Sequence, residues 1–131
     1  MASIHDSLLV GYLVDGRAQI VVLQTRPNKG DGGAVDVKFS GVAAYHFESD
    51  CLENIVLEIV EVSADIIVGD GAAFVERNRM HGWPRDWDCT RETPKQFFQR
   101  QGCRCFQLSC SYGMSGWIAA QEIELLAVPS P

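Results

Sequence analysis

His46, Glu48, Asp50 and Glu53 crowd into eight residues, and Glu58 and Glu61 follow soon after. An imidazole among carboxylates is the equipment for holding a divalent cation or for exchanging a proton as acid and base. The spacing does not follow a calcium-loop pattern, however. The reading taken is a solvated acidic edge, which also discourages edge-to-edge strand pairing.

The other chemical candidates are weaker. Ser115 stands in Gly113-Met-Ser-Gly116, one residue short of the Gly-x-Ser-x-Gly elbow. That elbow joins a strand to a helix, whereas this segment joins two predicted strands. A cysteine nucleophile needs a nearby histidine base, and His5, His46 and His81 are scattered along the chain. The five cysteines form no paired zinc spacing. Cys103 and Cys105 are too close together, and Cys105 and Cys110, five apart on one strand, face opposite sides. In Pro27-Asn-Lys-Gly-Asp-Gly-Gly33 the lysine precedes the glycine and a strand follows, so this is a surface loop and not a phosphate cradle. No catalytic residue, metal or cofactor is assigned.

The loop His81-Gly-Trp-Pro-Arg-Asp-Trp-Asp-Cys89 is the strongest binding candidate. Trp83 and Trp87 lie four apart among Arg85, Asp86 and Asp88, and Trp and Arg are the commonest anchors of binding hot spots. Trp83, Arg85, Trp87 and Asp88 are therefore taken as partner-binding, together with the acidic turn Glu48, Asp50 and Glu53. The alternative is that both rings plug the end of the core.

Charge is segregated along the chain. From Phe39 to Glu76 there are eight carboxylates and no lysine or arginine, whereas from Arg77 to Arg104 seven bases outnumber three acids. The formal net charge is −6, which argues against sequence-independent nucleic-acid binding. It suits a basic protein partner, since complementary potential speeds encounter. If the basic insertion docks on the acidic strands, the two signs neutralise one another and only the Glu48–Glu53 turn stays free.

These residues must be positioned by a single domain covering 1–131, a length that carries one core. Leu8–Val14 and Arg17–Arg26 flank Asp15-Gly16 and predict a hairpin with a two-residue turn, pairing Val14 with Arg17. Val35–Glu48 alternates apolar and polar, with Gly41 marking a bulge or close contact. Ile55–Val62 is a further strand. Ser63 caps a helical segment, a second helix runs Ala72–His81, and Thr93-Pro-Lys-Gln96 is a capping box with proline at the first helical position. Arg104–Tyr112 and Trp117–Leu126 form a final hairpin. The predicted class is α+β in the order ββββααββ: about six mostly antiparallel strands, with two or three short helices inserted before the C-terminal hairpin.

No run reaches the roughly 20 apolar residues that cross a bilayer. Ser7–Val14 has no basic region ahead of it and reads as a strand instead of a signal peptide. The cytoplasm is the expected location.

Phe39-Ser-Gly-Val-Ala-Ala-Tyr-His-Phe47, Asn54-Ile-Val-Leu-Glu-Ile59, Gly82-Trp-Pro84 and Ser111-Tyr-Gly-Met-Ser-Gly-Trp-Ile118 resemble segments of small uncharacterised bacterial domains. Some domains of that style are immunity proteins that neutralise a cognate toxin, and the likeness in layout spans most of the chain. The leading expectation is a non-catalytic, cytosolic protein-binding domain of that kind. Two others stand beside it. One is a small-molecule-binding protein or enzyme, with a pocket between sheet and helices that uses His46, Tyr45 or Arg85. The other is a homodimeric structural subunit joined through a sheet face.

Overall fold

The computed structural model describes residues 6–27, 33–52, 54–67, 87 and 91–129. Among them are eight strands: β1 (Leu8–Asp15), β2 (Ile20–Arg26), β3 (Val35–Ser40), β4 (Ala44–Glu48), β5 (Asn54–Val62), β6 (Arg104–Tyr112), β7 (Ser115–Ala120) and β8 (Glu122–Ala127). All eight join one antiparallel sheet in the order β4-β7-β6-β5-β1-β2-β3-β8. The α+β expectation is therefore corrected: the described chain is nearly all-β. Its helical content is the seven-residue helix Pro94–Arg100 and the residues 64–67 that follow Ser63. The expected helix Ala72–His81 lies outside the described residues.

The rise from six strands to eight has a physical cause: two of the expected strands are bent. The run 35–48 breaks into β3 and β4 at Gly41, whose φ is +63°. A left-handed backbone of this kind suits glycine, and a Cβ there would collide with the Gln121 side chain. The run 115–127 breaks into β7 and β8 at Gln121, directly alongside, and Gln121 N donates to Ser40 O at 3.0 Å. The pairing passes from Ser40↔Glu122 to Ala44↔Ala119, leaving one extra residue on the first strand, the signature of a bulge.

The bends roll the sheet. β7 pairs with β4 and β6 near one end of the order, while its continuation β8 pairs with β3 at the other end. Consequently Phe39 on β3 and Phe106 on β6 bring their rings to 5.5 Å, although three strands separate them along the ladder. The inner core gathers Leu9, Leu23, Val37, Phe39, Val56, Leu108, Met114 and Ile118 with side chains from the remaining strands. A second core forms outside the sheet. Ala44, Cys105, Trp117 and Ala119 receive Phe97, Phe98 and Ile67 from the insertion between β5 and β6. Thr93 holds the helix start as expected: Gln96 N donates to its hydroxyl at 3.2 Å, and Thr93 N donates to Gln96 Oε1 at 2.9 Å. No helix among the described residues is long and apolar enough to cross a membrane.

The first hairpin differs in register. Its loop holds four residues, with Asp15↔Ile20 and Val14↔Val21 as the last pairs. The carboxylate of Asp15 dictates this by accepting from Arg17 N at 3.1 Å and Ala18 N at 3.0 Å, an Asx turn that competes with the two-residue geometry. Gln19 closes the loop at φ +56°. From Gly11 to Asp15 the shift is four residues, which is even, so those side chains keep their face, whereas the irregularity between Leu9 and Gly11 makes it three at Leu8 and Leu9.

Candidate binding surfaces

β1 pairs with β2 along its length but with β5 only at Leu8 and Leu9. Beyond Leu9, no described strand covers the second edge of β1. A bulge at Val10 marks the point of departure. The exposed segment is apolar: Val10, Tyr12, Leu13 and Val14 keep 38, 41, 53 and 41 % of their surface open. Tyr12 and Val14 oppose the buried Leu23 and Val21, so they face inward at the open mouth of the rolled sheet, and Leu13 faces outward. The ring of Tyr12 meets Phe47 edge-on at 5.2 Å, which carries the end of β4 to this edge.

The acidic turn lies beside it. Asn54 is 2 % exposed and acts as a hub. Its Oδ1 accepts from Met114 N at 2.8 Å and Cys51 N at 3.0 Å, and its Nδ2 donates to Asp50 Oδ1 at 3.1 Å and Leu9 O at 3.5 Å. Asp50 also accepts from Leu52 N at 2.8 Å. The Asn54 amide and then the Leu52 amide hold the Asp50 carboxyl below its ordinary pKa of 3.8. Leu52, 83 % exposed, projects from the same turn. Of the expected acidic residues, Glu48 and Asp50 are thus placed near the β1 edge, and Glu53 lies outside the described residues.

The tryptophan loop fares differently. Trp83, Arg85 and Asp88 lie outside the described residues. Trp87 is half-buried against the second core and donates from Nε1 to Glu92 O at 3.1 Å. Those contacts are those of a ring helping to seat the insertion. Two ion pairs join the basic and acidic stretches: Arg104 Nη2, at the start of β6, bonds Glu61 Oε1 on β5 at 2.7 Å, and within the insertion Lys95 Nζ bonds Asp65 Oδ1 at 3.0 Å. Exposed pairs of this sort contribute roughly 0–1 kcal/mol each.

Two openings flank β4. One is a polar groove of 440 Å³ floored by His46, Glu48, Gln107, Ser109, Ser115 and Trp117. His46 Nε2 stands 3.5 Å from Glu48 Oε2 there, and cross-strand pairing sets His46 beside Trp117 and Glu48 beside Ser115. No group of three or more His, Cys, Asp or Glu among the described residues is arranged to hold a metal ion. The other opening is an apolar cavity of 280 Å³ between the tip of the β1–β2 hairpin and the start of β4. Neither lies between sheet and helix, where Phe97, Phe98 and Ile67 pack against Trp117 and Cys105. Sequence reasoning missed the β1 edge because its apolar run is also what a covered strand would carry. The signal that could have found it is Gly11, where a side chain would press on Gln24 and interrupt a smooth strand.

No protein-family model matches the chain, and a search of curated proteins returns no match.

Proposed function

We propose that the chain is a non-catalytic protein-binding domain whose contact surface is the open edge of β1 together with the acidic turn at Glu48 and Asp50. The observation that carries this reading is the contrast between the edges of β1 and β8, two of the open edges among the described strands. Among the described strands β8 is open on the side away from β3, yet it presents Glu122 and Glu124, and Pro129 follows two residues past its end, which are devices that blunt an edge. β1 from Val10 to Val14 carries no charge at all, and more than a third of each of Val10, Tyr12, Leu13 and Val14 is exposed. Such an edge accepts an extended segment of a partner as an added strand, with pockets for alternate side chains.

The chemistry of that partner follows from the flanking groups. Glu48, Asp50 and Asp15 surround the edge, and the described stretch 39–67 holds no lysine or arginine. A segment that alternates apolar and basic residues is complementary. The sequence's resemblance to small bacterial domains, some of them immunity proteins, favours a toxin as the protein that bears it. Occlusion would then be the mechanism, with no bond made or broken. Photocrosslinking tests this reading. A photoreactive residue at position 13 is expected to join one protein in producing cells, and the same residue at position 124 is not. Equal products from both positions, or none from position 13, would overturn it.

A further inference from the structure

The apolar cavity at the hairpin tip is a second feature, which shares Val14 and Asp15 with the β1 edge. Its walls are Val14, Ile20, Val21, Val42 and Tyr45, with Asp15 and Gln19 also on its lining. Three observations bear on what it holds. The first is size: its 280 Å³ is somewhat less than twice the roughly 150 Å³ of an apolar cavity that takes one benzene. One ring with a short tail fits that space. The second is the aromatic wall. Tyr45 packs on Phe47 at 5.2 Å, and Phe47 packs on Tyr12, so the Tyr45 ring is braced from behind. The third is charge. Asp15 is the one charged side chain among the described lining residues.

The Asp15 carboxylate is also only partly used. Arg17 N and Ala18 N both donate to its Oδ1. An ionised carboxylate offers about four lone-pair sites over two oxygens, so Oδ2 keeps acceptor capacity. Gln19 donates from Nε2 to Val42 O at a long 3.4 Å, and its backbone is held at φ +56°, a conformation non-glycine residues seldom adopt. Strained residues of this kind gather at ligand sites.

We infer that this cavity binds a small arylalkyl amine, its ring against Val14, Val42 and Tyr45 and its ammonium group on the Asp15 carboxylate. A cation beside a tyrosine face gains a further attraction to the ring. A carboxylate of the same shape is repelled by Asp15, and a neutral alcohol loses the charge-assisted bond.

The experiment is a titration of the isotope-labelled full chain with phenethylamine, 2-phenylethanol and phenylacetate, followed by amide chemical shifts. Phenethylamine is expected to shift amides within 14–21 and 42–45 with a dissociation constant below about 1 mM, reasonable for its size. Phenylacetate is expected to bind at least about tenfold more weakly, with the alcohol between. Asp15→Asn keeps the oxygen that Arg17 N and Ala18 N require, so it leaves the turn folded and should erase the preference for the amine over the alcohol. Gly16 lies on the cavity lining and an added Cβ there meets nothing within 4 Å, so Gly16→Phe, with its fold checked by its amide spectrum, should block all three compounds. Shifts absent from those two segments, equal affinity for amine and acid, or a preference that survives Asp15→Asn would each overturn the assignment.

Discussion

Asn54 Nδ2 donates to Asp50 Oδ1 at 3.1 Å, and that bond sets the acidic turn against the edge of β1. The same side chain reaches Leu9 O, Cys51 N and Met114 N, so three separate segments meet on one buried amide. Its replacement by alanine strands the Met114 and Cys51 amides without an acceptor. Asn54→Ala is expected to cost roughly 2–4 kcal/mol of folding free energy, the range for breaking a buried network. Urea unfolding measures it, and a loss below about 0.5 kcal/mol, the level of an ordinary surface change, would contradict the hub.

The ionisation of Asp50 should report on the same turn. Its hydrogen bonds from Asn54 and Leu52 place the folded-state pKa below the ordinary 3.8. A depressed carboxyl stabilises the folded turn above the unfolded pKa, and the benefit is lost as pH falls through the folded one. The side-chain carboxyl shift followed by NMR should therefore show a midpoint below 3.8, moving up toward it in Asn54→Ala. A midpoint at or above 3.8 in the native chain would show that the bonds do not form.

Gly116 lets β4 lie close to β7. A Cβ at this position would run into the His46 carbonyl and the Phe47 ring, and backbone cannot step aside as a flexible side chain can. Gly116→Ala is expected to destabilise by about 1–3 kcal/mol, as overpacking does. Thermal unfolding checks it. A neutral result would mean that β4 is not held against β7 as described.

The thiols divide by burial. Desolvation pushes Cys105 up to about 11, with Cys103 and Glu61 adding to it, and desolvation alone pushes Cys110 up to about 11. At pH 8 only about a thousandth of either is thiolate, the reactive form. Cys51 is exposed. Cys51→Ser should remove one equivalent from the fast phase of labelling by a disulfide reagent, while Cys105→Ser and Cys110→Ser leave that phase unchanged. Loss of fast labelling in Cys105→Ser would place that thiol at the surface.

Much of the strand content is legible in the sequence because strict alternation survives local bending. Val35–Glu48 reads as one strand, and its alternation is clean in β3, while in β4 Tyr45 and Phe47 still pack on the inner core but Ala44 is buried in the second one. What alternation cannot show is that Gly41 and Gln121 bend two paired runs at the same level, since the pairing of residues 80 positions apart leaves no local trace. The start of the helix at Pro94 is readable because its capping box is local chemistry. The hairpin register is misread for the converse reason. Asp15-Gly16 is a strong two-residue signal, but the Asp15 carboxylate binds two later amides and lengthens the loop. Of the candidate site, the acidic turn is legible from composition. The open edge of β1 is not, because which strand stops pairing after Leu9 is decided by distant segments.

Docking of a protein partner on the β1 edge is decided by the affinity of the crosslinked partner, in pure form, for variants of that edge. Leu13→Asp puts a charge on the outward face of that edge without touching either core. Leu13→Asp is expected to weaken the dissociation constant at least about tenfold, as for loss of a hot-spot side chain, and Glu124→Lys on β8 to leave it unchanged. Equal affinity of Leu13→Asp and the native chain, with both folded, would contradict it.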